Sequence, residues 1–130
     1  MRPVLIMCLT LVAVSCLAQG FGGSKHPVQA RLVVETDIQA GSDFDIAVVL
    51  DMAPNWHTYW VFSGDAGLPT RVKWNLPEGF AAGDLRWPGP HRYTEGGDLT
   101  VFGYVDQVAL FTNVHTPVVL PDTIRVGADV

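Results

Sequence analysis

The sequence predicts an all-β fold, an immunoglobulin-like antiparallel β-sandwich preceded by a signal peptide. Three observations carry this prediction. Seven segments of four to seven residues are rich in β-branched, aromatic and other apolar side chains, the residue types that fit a pleated, half-buried surface. Clusters of Gly, Pro, Asn and Asp separate these segments and supply the backbone conformations that tight turns need. Outside the first 18 residues no stretch keeps a 3.6-residue apolar period for three turns, and 13 glycines and 9 prolines interrupt the chain too often for long helices. Seven or eight short strands over about 100 residues suit a two-sheet sandwich. A closed β-barrel shares the same short strands and stands as the alternative.

Taken in chain order, the first element is not a strand. Met1-Arg2 is a short positive start, Pro3 to Ala18 is apolar apart from Thr10 and Ser15, and Gln19, Gly20 and Gly22 follow. A charged start, an apolar run and small residues at the cut form a secretory signal pattern. The run is too short to span a bilayer comfortably, which takes about 20 apolar residues. Residues 1–18 are therefore expected to be a signal peptide, 19–27 a flexible mature N-terminus, and 28–130 the domain. A second reading stays open. Val12-Ala13-Val14-Ser15-Cys16 resembles a lipobox, in which Cys16 is lipidated and becomes the new N-terminus.

The strands are then expected at Arg31–Glu35, Phe44–Leu50, Trp56–Phe62, Arg71–Leu76, Leu99–Phe102, Val108–Phe111 and Thr123–Val126. In Arg71–Leu76 the alternation puts Val72, Trp74 and Leu76 on one face, and in Trp56–Phe62 it puts Trp56 and Trp60 on one face. Near the C-terminus Ile124, Val126, Ala128 and Val130 alternate with Thr123, Arg125, Gly127 and Asp129. The alternation still runs at Val130, which reads either as a strand cut short or as a short edge strand.

Composition excludes several functions. Thirteen acidic and 8 basic residues give a net charge of -5. Without residues 1–18, whose one charge is Arg2, 112 residues remain with 7 basic and 13 acidic side chains, a net charge of -6. No basic block exists, so nucleic acid and anionic membrane surfaces are not expected partners. Both cysteines, Cys8 and Cys16, lie within the first 16 residues, so the expected mature chain has no thiol.

Few motifs carry chemistry. His26, His57, His91 and His115 show no i,i+2 or i,i+4 pair and have no cysteine to assist, so no zinc motif is present. His57 reads as a strand histidine hydrogen-bonded to its surroundings. Ser24, Ser42 and Ser63 lie outside any Gly-x-Ser-x-Gly elbow. Asp65, Glu95 and Asp106 read as solvated turn carboxylates rather than as an acid/base pair. Of the four tryptophans, Trp60 and Trp74 read as core. Trp87 precedes Pro88-Gly89-Pro90 and enters a rigid loop, a position suited to capping a site or anchoring a partner.

An ordered series of short motifs resembles a known family. Trp56-His57-Thr58-Tyr59-Trp60, Gly64-Asp65-Ala66-Gly67-Leu68-Pro69-Thr70, Trp74-x-Leu76-Pro77-Glu78-Gly79-Phe80, Trp87-Pro88-x-Pro90 and Phe102-Gly103-Tyr104 are similar to the N-terminal periplasmic domain of thiol:disulfide interchange proteins of the DsbD/ScsB kind. As a set they cover most of residues 28–130. The resemblance implies an immunoglobulin-like sandwich in the periplasm, attached in a full-length form to the inner membrane. It implies a protein-disulfide reductase that needs no cofactor. Electrons pass by thiol–disulfide exchange from a membrane-embedded reductase domain to periplasmic thiol–disulfide oxidoreductases. The family's cysteine pair would fall just beyond Val130, so the chain is expected to be truncated before its catalytic residues and inactive alone. The family covers that pair with an aromatic cap loop. The resemblance places the cap at Trp87 and Pro88, with Tyr104 as a neighbour. The alternative function is a non-catalytic immunoglobulin-like binding or adaptor module, in one version lipid-anchored through Cys16.

Overall fold

The computed structural model describes residues 26–130. The expected signal peptide, Cys16 and most of the expected flexible N-terminus lie outside the described residues. Nine strands form among the described residues, and no helix. They are β1 (Val28–Val34), β2 (Asp43–Met52), β3 (His57–Gly64), β4 (Lys73–Asn75), β5 (Ala81–Arg86), β6 (His91–Glu95), β7 (Leu99–Val105), β8 (Gln107–His115) and β9 (Gly127–Asp129).

Two sheets face one another. The first has the order β1-β2-β8-β5 and the second β3-β7-β6, while β4 and β9 pair as a two-stranded ribbon. Every strand pair is antiparallel. The hydrogen-bonded ladders do not close into one ring, so the sandwich holds and the barrel does not.

Strict alternation builds the core. On β2, Phe44, Ile46, Val48, Leu50 and Met52 point inward; on β8, Val108, Leu110, Thr112 and Val114 do the same. The register brings these rows side by side, with Val48 opposite Leu110 and Leu50 opposite Val108. One cluster joins Val48, Leu50, Met52, Val108 and Leu110 of the first sheet to Tyr104 of the second, with Trp60, Trp74 and Trp87 packed against it. A second joins Phe44, Ile46 and Val114, with Trp74, Leu76 and Val126 at its edge. Trp74 touches both clusters, so the expected Val72-Trp74-Leu76 face is the one that closes the sandwich.

Four expectations change. The segments Ala81–Arg86 and His91–Glu95 are strands that the sequence pattern did not single out. The last strand is Gly127–Asp129 rather than Thr123–Val126. Ile124, Val126 and Ala128 are half-buried as their alternation implied, but Val130 is 56% exposed and not a core position. Trp56 lies before β3, 54% exposed, and does not share a buried face with Trp60.

Candidate functional site

The loop between β5 and β6 holds the expected cap residues. Arg86 ends β5, and Trp87-Pro88-Gly89-Pro90 connects it to His91. Two prolines fix φ and remove two donors, which stiffens this short link. The structure brings Trp87, Pro88 and Tyr104 together. The Tyr104 hydroxyl donates to the Pro88 carbonyl at 2.7 Å. Trp87 is half-buried against the same core cluster that contains Tyr104. Tyr104 itself is buried, and burial pushes its phenol up to about 12. The loop is thus held by an apolar contact through Trp87 and a hydrogen bond at Pro88, while Pro88 and Gly89 stay exposed.

Glycine makes room beside this anchor. In Phe102-Gly103-Tyr104 a Cβ on Gly103 would meet the Thr58 carbonyl oxygen, on the strand that pairs with β7. Any side chain at position 103 would push β3 from β7 and shift Tyr104 with it.

A hollow of about 400 Å³ opens beside the loop, lined by Asp45, Arg86, Trp87, Pro88 and Phe111. Arg86 pairs with Asp45 at 2.7 Å across its floor. The Arg86 hydrogen bond, aided by Asn113, holds the Asp45 carboxyl below the usual carboxylate range.

A second polar cluster lies on the other sheet. Glu95 of β6 meets two residues of β3. His57 Nε2 is 2.6 Å from Glu95 Oε1, and the Tyr59 hydroxyl donates to Glu95 Oε2 at 3.1 Å. The His57 and Tyr59 rings meet edge to face, with centroids 4.9 Å apart. Burial, then the Glu95 carboxylate, raises the Tyr59 phenol. Gly67 makes the cluster possible. Its φ is 88°, a Cβ there would strike the Tyr59 ring, and its carbonyl accepts from the Ser63 hydroxyl at 3.0 Å. Asp65 of the same loop accepts from the Thr100 amide at 2.8 Å.

This cluster sharpens what the sequence implied. His57 is hydrogen-bonded within the fold, as expected. Glu95 and Asp65 are not simply solvated turn carboxylates. Glu95 is half-buried with two partners, and Asp65, though exposed, ties its loop to Thr100 of β7 through both its amide and its carboxylate. The i,i+2 spacing of His57 and Tyr59 placed them on one strand face, but nothing in the sequence tied that face to Glu95. The remaining histidines do not join them. His115 pairs with Asp43 on the first sheet, and His91 is exposed with its ring 6.3 Å from that of Tyr93. Among the described residues no group of three His, Cys, Asp or Glu side chains is arranged to hold a metal ion. No helix among them is long and apolar enough to cross a membrane.

The comparisons with known proteins bear on family and fold. The model of one family, described as "Thiol:disulfide interchange protein DsbD, N-terminal", matches residues 25–130. Among solved structures, the N-terminal periplasmic domain of ScsB from Proteus mirabilis matches with a TM-score of 0.58 and 22% identity, covering 80% of this chain and 39% of that one. At that identity the likeness speaks for the fold, and the chain spans well under half of the ScsB domain's length. The search of curated proteins found no match.

Proposed function

Because the chain belongs to the family of DsbD N-terminal domains of thiol:disulfide interchange proteins, we propose that residues 26–130 are the shielding part of a periplasmic disulfide reductase. In this reading the domain relays electrons by thiol–disulfide exchange. It takes them from a membrane-embedded reductase domain and passes them to periplasmic thiol–disulfide oxidoreductases. Each transfer is a thiolate attack on a disulfide through a mixed disulfide, followed by attack of a second, resolving thiol.

The observation that carries this reading is the anchored Trp87 loop. Exchange is governed by access to the sulfur as well as by thiolate character. A pair of thiols in an oxidising compartment therefore needs a cover that yields only to a docking partner. Trp87, Pro88 and Tyr104 have the properties of such a cover, with an apolar ring seated on the core and one hydrogen bond holding the loop. Val130 lies beside Val28–Ala30, and Val28 packs on the cluster that also receives Trp87 and contains Tyr104. The sequence itself supplies only Cys8 and Cys16, so the exchange is proposed for a form of the domain that carries a cysteine pair.

The test compares air oxidation of the reduced cysteine pair in such a form with that of its Trp87→Ala variant. Loss of the ring is expected to raise the oxidation rate on the order of tenfold, while Trp87→Phe keeps most of the protection. An unchanged rate in Trp87→Ala, with the fold intact by circular dichroism, would reject the cap.

A further inference from the structure

The outer face of the β1-β2-β8-β5 sheet carries a feature that the redox reading does not use. Side chains on this face alternate with the core rows, so solvent-facing positions should be polar. At both ends of the central β2–β8 pair they are. Asp51 is bonded to Gln107 and Arg31, Asp43 to His115, and Asp45 to Asn113 and Arg86. Between those ends the pattern breaks. Ala47 lies opposite Phe111 and Val49 opposite Ala109. Ala47 and Val49 are only 5% and 6% exposed although they face outward, because they sit at the bottom of a groove.

The groove, about 300 Å³, is lined by Val33, Ala47, Val49, Ala109 and Phe111, with Glu35 at its rim. Phe111, 42% exposed, forms its far wall. Beyond that ring the hollow beside Trp87 begins, and the two hollows share Asp45 and Phe111. The apolar floor thus crosses the sheet from β1 to the loop after β5. Charge at the rim is acidic. Asp45 is already matched by Arg86, whereas Glu35 makes no ion pair among the described residues.

We infer that this groove binds an extended, apolar and basic peptide segment of a partner protein, with two apolar side chains seated on either side of Phe111 and a Lys or Arg meeting Glu35. Two hollows separated by one ring suit residues i and i+2 of an extended chain, whose side chains point the same way roughly 7 Å apart. The acidic rim and the chain's net charge of -5 select a basic segment over an acidic one. One hollow is walled by Trp87 and Pro88 of the loop after β5, but the Tyr104 anchor of that loop lies on the inner side and the test below changes only Phe111 and Glu35, so its failure and a failure of the electron relay are distinguishable.

The test titrates the full chain, followed by the amide resonances of its NMR spectrum, with two probe peptides: acetyl-Lys-Val-Thr-Leu-Lys-amide and acetyl-Glu-Val-Thr-Leu-Glu-amide. The basic peptide should shift the amides of Val33, Ala47, Ala109 and Phe111 and bind at least about tenfold more tightly than the acidic one. Phe111→Ala should weaken binding about tenfold by removing the wall between the hollows. Glu35→Gln, a surface change that leaves packing alone, should weaken the basic peptide severalfold and bind the acidic one no less tightly than the parent, so that the preference narrows. Equal binding of the two peptides, shifts confined to other faces, or Phe111→Ala binding like the parent would overturn the inference. So would concentration-dependent shifts at these amides without peptide, which would make a second copy of the chain the occupant.

Discussion

Thr112 and Thr116 both lie fully buried on the inward row of β8 and its extension, yet they sit in opposite circumstances. Thr116 Oγ1 lies 2.6 Å from the Gln39 carbonyl and 2.9 Å from the Ser42 carbonyl, and it accepts from the Ser42 amide at 3.0 Å. Thr112 Oγ1 has no hydrogen-bond partner among the described residues. The same substitution should therefore act with opposite sign. Thr112→Val removes an unpaired hydroxyl at constant shape and should leave stability unchanged or raise it by up to about 1 kcal/mol. Thr116→Val strands the Ser42 amide and should cost about 1–3 kcal/mol. Urea melts of the two variants check both. Tyr104→Phe keeps the ring in the core and removes only the bond to Pro88, so it should cost about 1 kcal/mol and loosen the 87–90 loop. The sequence named Tyr104 as a neighbour of Trp87, but not its bond, because the accepting carbonyl stands 16 residues away and only the fold sets that distance.

Strands with their own signal were legible; strands that borrow theirs were not. The expected Phe44–Leu50 and Val108–Phe111 segments lie inside β2 and β8, where apolar alternation is dense. β5 reads Ala81-Ala82-Gly83-Asp84-Leu85-Arg86, poor in strand formers, with only Leu85 half-buried. It is a strand because the free edge of β8 offers it a ladder, and its register slips between Ala82 and Leu85, as edge strands with bulges do. β6 is only five residues long, begins directly after Pro90, and is a strand for the same reason, its ladder with β7. β6 also has a second tie. Glu95 joins it to β3, a strand it does not pair with. Glu95→Ala should remove both the His57 and Tyr59 partners, cost about 1–3 kcal/mol, and speed hydrogen exchange of the β6 amides more than those of β2.

At the scale of the whole molecule, the acid and alkaline limits of stability trace to different groups. Asp45 and Asp51 have carboxyls held below their ordinary range, Asp45 chiefly by Arg86 and Asp51 chiefly by Gln107. A lowered folded value contributes stability that is present above the unfolded value near 4 and is lost as pH falls through the folded one. Both groups are exposed, so the loss below about pH 4 should be shallow. Tyr104 acts at the other end. Its value, raised by burial to about 12, contributes stability that is fully present below about pH 10 and is lost as pH rises toward 12. Thermal melts across pH should show a steeper alkaline than acid decline, and Tyr104→Phe should flatten the alkaline one.

The architecture and the family could be read from spaced motifs because they are local: tryptophans, turn glycines and prolines in a fixed order. The groove on the outer sheet face could not, since Ala47, Val49 and Phe111 look like core residues until the register of β2 and β8 shows which way they point. The central claim, that this domain passes electrons by exchange, is tested most directly by trapping. A form of the domain carrying the cysteine pair, with the resolving cysteine replaced by serine, is mixed reduced with an oxidised periplasmic thiol–disulfide oxidoreductase. The account predicts a mixed disulfide on a non-reducing gel that disappears with dithiothreitol. No adduct, with the attacking thiol verified free, would contradict it.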